Sequence, residues 1–136
     1  MTLFMLIGLA LADDDKDDAW SVDAEHGTSH VVSIDVKEGT WMSVTTDGDQ
    51  LVFDLLGDLW TLPHQGGEAV RLTEGAAWDV EPQFSPDRAS IVFTSDRGGN
   101  EQLWVMNADG TDAHQLTDEK VARVTDPAWD PSGEWV

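Results

Sequence analysis

The chain has 136 residues, enough for one domain, with 27 acidic side chains against 7 basic ones and a formal net charge of −20. Such a charge repels phosphate backbones and anionic membrane surfaces, which excludes a nucleic-acid-binding role. The absence of cysteine removes disulfide frameworks, thiolate metal sites and cysteine nucleophiles together. With only three lysines (Lys16, Lys37 and Lys120), the acidity fits either a surface adapted to high salt or an ordinary acidic exported protein.

In chain order, residues 1–12 form an apolar run ending Ala10-Leu11-Ala12, the small-x-small pattern of a signal-peptidase site. No Lys or Arg precedes it, and it is too short to span a bilayer, so no membrane span is expected in the mature chain. Residues 13–19 (Asp13-Asp14-Asp15-Lys16-Asp17-Asp18-Ala19) lack the spaced ligands and glycine of a calcium loop and read as a solvated acidic segment. Residues 20–40 are a lead-in that could supply a ring-closing strand, and residues 41–136 are repeats.

The repeat is visible by eye. Leu51-Val52-Phe53 recurs as Ile91-Val92-Phe93, 40 residues on, while Leu59-Trp60-Thr61-Leu62 recurs as Leu103-Trp104-Val105-Met106 and Arg71-Leu72-Thr73 as Gln115-Leu116-Thr117, both after 44. The four-residue difference falls between the second and third strands, where Asp54-Leu55-Leu56-Gly57-Asp58 becomes the longer 94–102 stretch, and insertions of that kind sit in loops. A third copy starts at Asp126-Pro127-Ala128-Trp129, 45 residues after Glu81-Pro82-Gln83-Phe84, and reaches Trp135-Val136. Within the second copy the predicted strands are Glu81 to Ser85, Ser90 to Thr94, Gln102 to Met106 and Ala113 to Thr117. They are joined by a type I turn at Ser85-Pro86-Asp87-Arg88 and by glycine- and asparagine-bearing turns at 97–100 and 107–110. Arg88 stands where the other copies carry Gly48 and Gly133, so strain is expected there if its φ is positive. Four antiparallel strands every 40–45 residues predict an all-β fold, an incomplete β-propeller of four-stranded blades, two complete and a third begun. A β-sandwich would not repeat one turn and one tryptophan at fixed spacing.

The pattern Phe84 to Asp87, Phe93 to Gly99, Leu103 to Gly110 and Leu116-Thr117 resembles the blade motif of TolB-like propellers. That blade also occurs in tricorn-type proteases and prolyl-oligopeptidase relatives. The upstream stretches Trp20 to Gly27 and Val31 to Val44, leading into Phe53 to Trp60, are similar to the N-terminal region of exported amidohydrolase-family proteins. The resemblance implies a periplasmic or secreted protein whose propeller precedes a metal-dependent hydrolase barrel and gates or docks its substrate. Its partners would be further blades, that catalytic domain, and protein or peptide ligands. The alternatives are a protein-binding propeller of the TolB type or the propeller of a peptidase.

No catalytic, cofactor-binding or metal-binding residue is expected within the chain, and a divalent metal is implied only for the hydrolase domain. His26, His30, His64 and His114 lack the His-x-His spacing of an amidohydrolase centre, and Ser85, Ser90 and Ser95 lie at turn or strand positions outside any Gly-x-Ser-x-Gly elbow. Asp47-Gly48-Asp49, Asp96-Arg97-Gly98 and Asp109-Gly110 read as turn formers. Trp60, Trp104 and Trp129 fall at repeat-equivalent packing positions, whereas Trp41 and Trp78 lie outside the matched strands and are candidates for a contact surface. A propeller unit buries its face against its neighbours, so the chain alone is expected to be marginally stable or to aggregate. A cooperative, monomeric unfolding transition of residues 13–136 would overturn that.

Overall fold

The computed structural model describes residues 22, 27, 28, 30, 32, 33, 35 and 38–136. The expected signal run at 1–12, the acidic segment at 13–19 and most of the lead-in at 20–40 lie outside the described residues. Two four-stranded antiparallel sheets follow one another along the chain. Blade 1 comprises β1 (Val44–Thr46), β2 (Gln50–Leu55), β3 (Asp58–Pro63) and β4 (Val70–Arg71), and blade 2 comprises β5 (Asp79–Phe84), β6 (Ser90–Ser95), β7 (Gln102–Asn107) and β8 (His114–Gln115). Each is a meander with sequential strand order, the arrangement of a propeller blade.

Turn chemistry sets the registers. Asp47 Oδ1 accepts from the Asp49 and Gln50 N–H groups at 2.8 and 2.7 Å, closing the β1–β2 turn with Gly48 at φ 99°. The matching β5–β6 turn has Arg88 N–H donating to the Ser85 carbonyl at 2.9 Å, with Arg88 itself at φ 65°. The strain expected at this non-glycine position is therefore present. The β2–β3 connection is only Leu56-Gly57, both at positive φ (56° and 87°), as a tight antiparallel hairpin requires. Asp54, Leu55 and Asp58 belong to the paired strands on either side of it. In blade 2 the same connection runs from 96 to 101, so the four extra residues do lie there.

Strand β5 begins at Asp79, two residues earlier than predicted, and a bulge separates Val80 from Gln83. Pro82 has no N–H for the ladder and Glu81 sits at φ 58°, which together force the irregularity. Strand β8 is shorter than predicted because Leu116-Thr117 leave the ladder. Leu116 N–H donates to the Leu103 carbonyl at 2.8 Å while Thr117 Oγ1 accepts from Leu103 N–H at 3.0 Å. Leu72-Thr73 make the same pair of bonds to Leu59, both 2.9 Å or less, so this staple explains why Leu-Thr closes each repeat.

The core lies between the sheets. Val52 and Leu59 of blade 1 meet Ile91, Phe93 and Met106 of blade 2, with Trp104 packed against them. Trp129 of the third copy donates from Nε1 to the Gln83 carbonyl at 3.1 Å, on the far side of blade 2. Trp60 lies on the face of blade 1 equivalent to that by which Trp104 of blade 2 meets blade 1. It pairs with Phe53 on the opposite face of blade 1, beside Val32, Leu55 and Ala69 around a 300 Å³ cavity. Among the described residues no sheet covers that face.

Candidate functional site at the blade ends

Because each blade is a meander, the start of its first strand, its second hairpin and the link to the next blade share one end. At that end a groove of about 680 Å³ opens between the blades, bounded by the segment 38–43, the β2–β3 turn and the approach to β5. Trp41, fully exposed, and Trp78, 54% exposed, both line it with Met42 and Leu56. The two tryptophans singled out by their positions outside the repeat-matched strands thus converge on one site.

Backbone hydrogen bonds to the buried Asp54 carboxylate hold the floor. Asp54, 4% exposed, accepts from Ser43 N–H at 3.1 Å through Oδ1 and from Glu81 N–H at 3.0 Å through Oδ2, tying blade 1 to blade 2. Glu81 repeats the device one blade on, its Oε2 accepting from Asp126 N–H at 2.8 Å and Thr94 Oγ1 at 2.7 Å. Glu81 and Asp126, at equivalent places in the second and third copies, adopt left-handed φ values of 58° and 56°, and Trp41, ahead of β1, adopts 61°. Asp54→Asn is expected to lose about 1–3 kcal/mol of stability in a urea titration, since an amide offers one acceptor where two N–H groups need them.

Trp78 is positioned by its own N–H, which donates to Asp96 Oδ1 at 2.7 Å, and by Gly57, on which its ring rests: a Cβ at Gly57 would come within 2.7 Å of that ring. Next to it Asp79, 1% exposed, meets the Arg97 guanidinium at 2.5 Å. Burial pushes the Asp79 carboxyl above its ordinary value, against the pull of Ser95 and of the Arg97 cation. Arg97 in turn lies over the Trp104 ring at 5.2 Å and Phe93 at 5.9 Å.

The other sequence-marked polar residues are scattered. His30, His64 and His114 are exposed, and His26 lies outside the described residues. Among the described residues no three His, Asp or Glu side chains are grouped as metal ligands. Ser85 Oγ donates to Asp87 at 2.6 Å within its turn, and Ser95 Oγ accepts from Arg97. Asp109 also acts within a turn: the Thr111 hydroxyl and N–H hold its carboxyl below the ordinary range. A depressed folded-state value gives stability that is present above the unfolded value of 3.8 and is lost as pH falls through the folded one. Asp109→Asn, which keeps an acceptor but does not titrate, should therefore lose less stability than the parent chain between about pH 5 and pH 3 in denaturant titrations.

Two stacked meanders, linked by repeating bonds at a shared end and carrying an aromatic groove there, define this chain as blades of a β-propeller. It belongs to the Tricorn protease N-terminal beta propeller domain family, whose pattern it matches over residues 38–136. It is 36% identical over 78 residues to the uncharacterized peptidase YuxL of Bacillus subtilis, a match covering 57% of this chain and 12% of YuxL. It is 41% identical over 59 residues to the Tol-Pal system protein TolB of Bordetella pertussis, covering 43% of this chain and 14% of that protein. The crystal structure of TolB from Acinetobacter baumannii superposes with a TM-score of 0.62 at 22% identity, covering 72% of this chain and 26% of that one. The chain thus spans a small part of each of these relatives.

Proposed function

We propose that these blades are the non-catalytic propeller portion of a larger exported hydrolase, and that their groove-bearing end docks or gates its substrate. The observation that carries this reading is the groove itself: two exposed tryptophans and an apolar rim over a floor fixed by Asp54 and Glu81. Such a constellation binds, and its carboxylates are occupied by backbone N–H groups rather than poised for proton transfer. The resemblance of the stretch from Trp20 to Trp60 to exported amidohydrolases favours a metal-dependent amidohydrolase as the catalytic domain, reached through export to the periplasm or beyond.

A second reading, a peptidase, is favoured by the identity to YuxL and by the protease whose propeller names the family. The likeness to TolB supports a third, a protein-binding propeller without a catalytic domain. Sequencing the gene past codon 136 separates them. A His-x-His barrel strand supports the amidohydrolase, a Gly-x-Ser-x-Gly elbow followed by a histidine supports the peptidase, and a stop codon directly after further blades supports the binding protein.

A further inference from the structure

Each groove between repeats has a counterpart one repeat later, which separates what the fold needs at a position from what it does not. Asp79 N–H donates to the Gly57 carbonyl at 2.9 Å, and 45 residues on Val124 N–H donates to the Glu101 carbonyl at 3.0 Å. The residue before the donor is Trp78 in the first groove and Arg123 in the second, where the guanidinium pairs with Glu101. An ion pair therefore satisfies the fold at this position, and an indole is not required. Trp41 is likewise not required by the fold: it lies ahead of β1 with a left-handed backbone at φ 61°. A bulky aromatic residue is disfavoured in that conformation, and Trp41, 100% exposed, recovers nothing by burial. Two tryptophans that the fold does not require thus line one groove.

We propose that this groove binds a cationic side chain, lysine or arginine, of an extended peptide, with the cation against the indoles of Trp41 and Trp78 and its alkyl stem along Met42 and Leu56. Indole faces attract cations more strongly than other aromatic rings do, and the apolar rim suits the methylene stem. Charge complementarity selects the cation: Glu38 lines the groove, the Asp54 carboxylate lies in its floor, and the chain carries a net charge of −20. A sugar ring also stacks on indoles, but it carries no charge for the groove's carboxylates to attract, and both Asp54 oxygens are already taken by backbone N–H groups. The inference rests on the reading of this end as the docking face and names the class of what docks.

The test immobilises the full 136-residue chain on a sensor surface and passes over it three probes: blocked Leu-Lys-Leu-Lys-Leu, blocked Leu-Glu-Leu-Glu-Leu, and maltoheptaose. The lysine peptide is expected to bind, more weakly as sodium chloride rises, and to lose about tenfold in affinity or more in each of Trp41→Ala and Trp78→Arg. Trp41→Ala removes a side chain that contributes no burial, and Trp78→Arg installs the residue the next groove already carries, so both variants should stay folded. Circular dichroism of each checks that. Equal binding of the glutamate peptide, or lysine-peptide binding indifferent to both substitutions, overturns the proposal. Maltoheptaose binding that both substitutions abolish also overturns it while sparing the docking reading. Silence of all three probes removes both.

Discussion

Replacing Arg97 with alanine is expected to cost the chain about 3–5 kcal/mol at neutral pH, enough to unfold a marginal domain. Asp79 is 1% exposed and its charge is compensated by the Arg97 guanidinium, so the truncation strands a buried carboxylate. It also removes the cation lying over Trp104 and Phe93. The pH dependence carries the sign of the cause. Burial already raises the Asp79 value, and a raised folded-state value means stability that is fully present below the unfolded value and lost as pH rises through the folded one. The deficit of Arg97→Ala should therefore be largest near pH 7 and shrink toward pH 4. Asp79→Asn combined with Arg97→Ala should recover much of it and flatten the pH profile. Urea titrations at three pH values check all of this, and a deficit independent of pH would assign the loss to packing alone.

Phe93→Ala should cost about 3–5 kcal/mol by opening a cavity in the layer between the blades. Phe93 is fully buried against Val52 and Leu59 of one sheet and Ile91 and Met106 of its own. The repeat supplies the control. Phe53, 40 residues earlier at the equivalent strand position, lies on the face of blade 1 that no sheet among the described residues covers, so Phe53→Ala should cost about 1 kcal/mol or less. Paired urea titrations read the difference, and similar losses for the two would mean that Phe53 is covered in solution.

Most of the fold was legible because propeller blades are written in signals a single sequence carries: repeated β-rich triplets, Asp- and Gly-bearing turns, and a fixed tryptophan. The misreadings have physical causes. Leu116-Thr117 looked like strand because both residues favour it, yet the threonine hydroxyl competes for Leu103 N–H and draws the pair out of the ladder. Aspartate is an unfavourable strand residue, yet Asp54 sits in β2. It tolerates burial in β2 only because two backbone N–H groups satisfy it, one of them 27 residues away, and no local pattern encodes that. The left-handed corners were equally hidden, since Trp41, Glu81 and Asp126 share no side-chain type that favours positive φ. At the site, Trp41 and Trp78 could be marked by their places outside the matched strands. That they line one groove depends on Trp78 seating on Gly57, which is a tertiary contact.

The staple that ends each blade also governs how such molecules meet one another. Beyond β4 and β8, only two residues each, the side chains of Arg71 and Gln115 turn back to bond the Thr73 and Thr117 carbonyls at 2.7 and 2.5 Å. One main-chain carbonyl at each sheet's rim is thus taken by the sheet's own side chain and closed to a foreign strand. Crowding such chains together should then favour apposition of flat apolar surfaces, Phe53 and Trp60 against their like, over the edge-to-edge growth that seeds amyloid fibrils.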